Sequence, residues 1–143
     1  MPSPLDFVAR GKILRVENNL VVFNPTGTTY ELHLVNQGAE APAPTQNSVA
    51  CHIRATGRKV WTVPSGGNFV VPIFGPPKIV QGRVRYLDET QMVVHAAVPI
   101  IVSLPREDAA FDMINGPLTL ATLVNATLLP GATFELAGVP AAR

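Results

Sequence analysis

The sequence is poor in charge, in sulfur and in long apolar runs. It holds one cysteine, Cys51, with three lysines, six glutamates and one tryptophan in 143 residues. A single cysteine excludes an internal disulfide framework. Charged residues make up 15% of the chain, against a usual share of about a quarter. Apolar residues make up 47%, which excludes a disordered chain. So little charge cannot coat the whole surface. Some apolar area is expected to meet a partner, most simply a second copy of the chain. The apolar run MVVHAAVPIIVSL is too short for a bilayer and carries His95 and Pro99. The opening MPSPLDFVAR lacks the basic-then-apolar pattern of a secretory leader. No membrane partner and a cytoplasmic location are therefore expected.

The inventory of reactive groups is equally thin. His33, His52 and His95 stand far apart, each in an apolar stretch, and no CxxC, HxH or HExxH spacing occurs. No metal and no cofactor are expected. Cys51 adjoins His52, but neighbours on a strand point to opposite faces and cannot pair, so Cys51 reads as a small buried hydrophobe. Ser65 sits in PSGG without the G-x-S-x-G of a nucleophile elbow. The acid pairs Asp88-Glu89 and Glu107-Asp108 fall in turns, where carboxylates are ordinarily just solvated. The glycine turns PSGG and NPTGTT lead into strands rather than helix N-termini, so they do not form phosphate cradles. The chemistry points away from an enzyme.

What the chain does have is β-branched residues and turn formers. Eighteen Val, seven Ile and eleven Thr make a quarter of it, and fourteen Pro and eleven Gly punctuate it. Stiff β-branched side chains suit a pleated surface, and Pro and Gly break helices. The fold class expected is all-β.

Two blocks then recur in the same order. GKILRVE (residues 11–17) matches GRVRYLD (82–88), and WTVPSGGNFVV (61–71) matches ATLLPGATFEL (126–136). The reading is two tandem duplicated units, residues 11–75 and 82–138, after an arm over 1–10. A stiff Pro-rich bridge over 76–81 joins them, and a tail covers 139–143. Each unit has about five short strands, with a last hairpin turning at PSGG or LPGA. That strand count and loop placement resemble a small closed or partly open barrel, a plan that the oligonucleotide/oligosaccharide-binding (OB) type shares with several other small barrels. One short helix is expected near 107–114, with Asp108 capping it and Ala109, Phe111 and Ile114 partly buried.

Charge is laid out unevenly. Residues 41–87 hold Arg54, Arg58, Lys59, Lys78, Arg83 and Arg85 and no acid. Alternation puts His52 and Arg54 on one face and Cys51, Ile53 and Ala55 on the other. It likewise separates Arg83 and Arg85 from Val84 and Tyr86. Most aromatics are assigned to the core, with Trp61 open. The candidate contact residues are His52, Arg54, Arg58, Lys59, Trp61, Arg83 and Arg85. They suit self-assembly or protein binding, with the acidic turns Asp88-Glu89 and Glu107-Asp108-Asp112 of another copy as the complement. Single-stranded nucleic acid is the alternative partner, although a pI near 8 falls short of the roughly 9 usual for such binders. A small ligand between the two units is the third reading.

Overall fold

The computed structural model describes residues 2–38 and 42–137, so Met1, residues 39–41 and the tail from 138 lie outside the described residues. Twelve strands join in one sheet: β1 (Ala9–Glu17), β2 (Leu20–Pro25), β3 (Glu31–Asn36), β4 (Val49–Thr62), β5 (Phe69–Val71), β6 (Phe74–Gly75), β7 (Ile79–Leu87), β8 (Gln91–His95), β9 (Pro99–Ser103), β10 (Phe111–Asp112), β11 (Leu123–Leu128) and β12 (Thr133–Leu136). Among the described residues there is no α-helix, so the all-β class stands.

Two antiparallel meanders, β1–β2–β3 and β7–β8–β9, carry most of the local order. The first turns at Asn18 and Asn19, both with left-handed φ (52° and 71°). Asparagine tolerates that conformation, which matches the twist of a two-residue hairpin. The pairings then close two circuits. From β3 the ladder passes to β12, in parallel, then to β4 and back to β1. From β9 it passes to β4, again in parallel, then to β11 and back to β7. Strand β4 belongs to both: residues 49–51 pair with β1, 51–54 with β12, 54–56 with β9, and 57–62 with β11.

The expected terminal hairpins therefore do not form as hairpins. Among the described residues, β5 pairs with β7 rather than with β4 before it, and β12 pairs with β3 and β4 rather than with β11. The likeness of 61–71 to 126–136 is a likeness of sequence between segments with different partners.

Inward side chains from both circuits make one contiguous core. Phe23 and Phe134, both fully buried, meet with ring centroids 5.8 Å apart. Each meander has a bulge, between Ile13 and Arg15 and between Val84 and Tyr86. Each also has a glycine where the partner backbone comes too close for a side chain. A Cβ at Gly11 would strike the Asn24 carbonyl, and one at Gly82 the His95 carbonyl. The second bulge overturns one expectation: it breaks the alternation after Val84 and leaves Tyr86 half-buried, its hydroxyl donating to Asp88 at 2.6 Å.

The expected helix near 107–114 is a single 3-10 turn, Asp108–Ala110. Glu107, not Asp108, stands at its cap position, without a side-chain bond. Ile114 is 83% exposed instead of partly buried, because the chain has already turned back along β4 as β10. A second 3-10 turn, Pro4–Asp6, is held by a capping box between Ser3 and Asp6.

Replacing Gly82 with Ala should lower unfolding stability by about 1–3 kcal/mol, the usual cost of overpacking, because the obstructing group is backbone. Gly67→Ala, where a Cβ meets nothing within 4 Å, should be close to neutral in the same urea titration.

Candidate functional site

The outward face of β4 gathers five of the seven candidate residues. Cys51, Ile53 and Ala55 point inward and are buried, while His52 and Arg54 are half-buried on the opposite face. Against β11 the register slips: Leu128 pairs with Gly57 and Thr127 with Lys59, so Arg58 is the extra residue of a bulge. The bulge leaves Arg58 and Lys59 both exposed, returns Val60 to the core and leaves Trp61 half-buried.

The seven do not form one patch. His52 is turned to the N-terminal arm, its Nε2–H donating to the Leu5 carbonyl at 2.9 Å. Arg83 and Arg85 are exposed on β7, which β11 separates from β4, about 10 Å away at the usual strand spacing. Arg83 donates through Nη1 to the Ala121 carbonyl at 3.1 Å. Arg54, Arg58, Lys59 and Arg85 have no hydrogen bond or ion pair among the described residues, where the ion pair present is Arg15–Glu31 at 3.6 Å.

Acids stand closer to this face than the sequence implied. Asp112 is opposite Trp61 in the β10–β4 pairing, and Glu135 is opposite His52. Asp88, by contrast, is consumed by its own turn. Oδ1 accepts from the Thr90 and Gln91 amides at 2.8 Å each, and Oδ2 accepts from Tyr86. The Tyr86 hydroxyl and then those amides hold its carboxyl down at about 2.

Apolar groups also reach the surface here. The loop after β10 is tied to the end of β4 by two bonds: Thr62 Oγ1 donates to the Gly116 carbonyl, and Asn115 Nδ2 donates to the Thr62 carbonyl. It presents Ile114 and Leu120, 83% and 62% exposed. Sequence reasoning placed Ile114 partly inside a helix and passed over Leu120, because a lone Leu in a loop carries no signal of which side it faces.

The outer faces of β2–β3 and β8–β9 are occupied by the chain itself. Val22 is only 3% exposed. β6 lies along β3, Glu31 N donates to the Ile73 carbonyl at 2.8 Å, and the Phe74 ring meets His33 edge-on at 4.7 Å. Phe74 is itself 59% exposed, so Trp61 is not the one open aromatic. On the other side Val93 and Ile101 are 0% and 2% exposed. There the Pro4–Asp6 turn packs against β8, and Phe7 meets Tyr86 at 6.4 Å between centroids.

No group of three His, Cys, Asp or Glu residues is placed to hold a metal among the described residues. Cys51 is fully buried, and burial pushes its thiol up to about 12. Comparison with protein-family models, curated proteins and solved structures finds no match to this chain.

Two outcomes follow. Cys51 should not react with Ellman's reagent at pH 8 in the native protein and should react fully in guanidinium, since attack needs a thiolate and access. Asp88 has a depressed folded pKa, so its stabilising effect is present above its ordinary 3.8 and is lost as pH falls toward about 2. Asp88→Asn should flatten that part of an acid-unfolding curve followed by circular dichroism.

Proposed function

We propose that the chain is a tandem duplication of an OB-like five-stranded barrel whose two copies exchange their last strand. It acts as a non-enzymatic, self-associating interaction module through the outer face of β4. The duplication is supported by the parallel make-up of the two circuits. Gly11 and Gly82, the bulges after Ile13 and Val84, and buried Val22 and Val93 hold the same places in their meanders. Ala55-Thr56 and Ala132-Thr133 hold matching places in β4 and just before β12. Each copy lends its fifth strand, the second half of β4 or β12, to the other's circuit.

One observation carries the interaction reading: unpaired Arg58 and Lys59 lie on the same strand as Trp61, and that strand's end is tied to the loop carrying exposed Ile114 and Leu120. Arginine, tryptophan and clustered apolar area are the make-up of a protein interface. The complement lies on the same chain. Glu89 and Asp108 line a cleft of about 580 Å³ together with Arg106 and Phe111, two acids against one base. A basic strip meeting an acidic cleft of the next copy is a head-to-tail contact, which builds rings or filaments. The nucleic-acid reading is weaker, because OB barrels bind oligonucleotides on the strand 2–3 face, and here both such faces are covered by the chain.

Light scattering should show mass rising with concentration and falling with salt, since exposed charges are screened. Arg58→Glu with Lys59→Glu should give a monomer of unchanged melting temperature, and adding Glu89→Lys and Asp108→Lys should restore assembly. A wild type that is monomeric at millimolar concentration would refute self-association. Low-salt binding of a fluorescent oligonucleotide that the double variant abolishes would replace it with the nucleic-acid reading.

A further inference from the structure

We infer that the seam where β4 passes from one circuit to the other is a binding site for a small zwitterion, a free α-amino acid with a polar side chain. A cleft of about 360 Å³ opens there, lined by Gln37, Arg54, Thr56, Ser103, Thr133 and Glu135. The pairings bring them together. Thr133 stands directly opposite Arg54, Ser103 opposite Thr56, and Glu135 opposite His52, two residues along from Arg54. Directly opposite side chains on paired strands start about 5 Å apart and diagonal ones about 7–8 Å, so all five on these strands face a common space.

Arg54 and Glu135 are long enough to meet, yet they form no ion pair. None of the six side chains makes a hydrogen bond among the described residues. Gln37 and Thr56 are exposed, and Arg54, Ser103, Thr133 and Glu135 are half-buried. The cleft therefore presents one free cation, one free anion, three hydroxyls and an amide. Its volume is within the range of small-ligand sites, about 300–1,000 Å³. Gly131, at φ 98°, turns the chain at the rim, where a Cβ would meet nothing within 4 Å, and its missing side chain keeps the mouth open.

A ligand matching both charges carries a carboxylate for the Arg54 guanidinium and the Thr133 hydroxyl, and an ammonium for Glu135. A charge-assisted bond at each end is about twice as strong as a neutral one. With no aromatic among the lining residues, Ser103, Thr56 and Gln37 are left to bond a polar side chain. The site shares no residue with the Arg58–Lys59–Trp61 surface.

Calorimetric titration with serine, asparagine and glutamine tests this. At least one should bind, and its N-acetyl and amide derivatives, each lacking one charge, should bind at least tenfold more weakly. Arg54→Gln should lose the carboxylate preference and Glu135→Gln the ammonium preference, while Arg58→Glu with Lys59→Glu should change neither. Thr133→Val, which keeps the side-chain shape, should weaken binding with the melting temperature held. Amide chemical shifts should move at residues 54–56, 103 and 131–135. The inference fails if none of the three binds at millimolar concentration, if the N-acetyl derivative binds as tightly as its parent, or if the shifts lie elsewhere.

Discussion

The fold depends on one strand being shared. β4 runs 14 residues, and its backbone is paired along both edges, by β1, β9 and β10 on one side and β12 and β11 on the other. A backbone amide left unpaired in a core costs as much as a lost hydrogen bond. Neither meander can close on itself, because each lacks a strand that the other half of the chain supplies. The two halves are thereby joined through shared ladders without a disulfide. The short strands β5, β6 and β10 offer edges too short to template further pairing, and β1 beyond Gly11 is strand-paired with β2 alone.

That closure decides where a functional surface can be. Small and β-branched residues fill the inside of β4, so whatever is charged on it must face outward, since an unpaired buried guanidinium would be very costly. The bulge at Arg58 adds a second adjacent cation to that face at the expense of one ladder position. Meanwhile the short segment that precedes β1 packs against β8, and the one that precedes β7 pairs along β3 and sets Phe74 against His33. The buried outward Val22 and Val93 mark strand faces that are spent on holding the chain together. The outer strip of β4 and the seam beside it are left.

Much of the local structure was legible in the residues. β-branched content gave the class, and alternation in ACHIRAT placed Cys51, Ile53 and Ala55 inside. The glycines that lead the two similar strands both answer a local backbone demand, the crowding at Gly11 and Gly82. What was not legible is non-local. Nothing within ATFEL says that it pairs with β3 and β4 rather than with the strand before it, since any apolar-alternating segment offers the same donors and acceptors. The resemblance of 61–71 to 126–136 misled for this reason. Tyr86 was misplaced because a bulge shifts the alternation by one residue and leaves no mark in composition. Ile114 was expected inside from a helical period that a single 3-10 turn does not sustain.

On the proposed duplication, the seam is a place where a repeated unit would meet a ligand that is not symmetric. If the two copies are related as proposed, Ala55 corresponds to Ala132 and Thr56 to Thr133, and an approximate two-fold axis passes between β4 and β12 near the two alanines. Those alanines are 6% and 3% exposed, small enough to let the strands lie close. Identical copies would line such an axis with matched groups, suited only to a symmetric ligand. Here the hydroxyls of Thr56 and Thr133 keep the match, but Arg54 falls opposite in role to Gly131, and Arg58 to Glu135. Two substitutions thus turn a symmetric seam into one with a positive and a negative end. Because each end stands on β4 or β12, the exchanged strands that lock the circuits also fix the spacing of the charges. Altering that spacing would require moving the ladder itself.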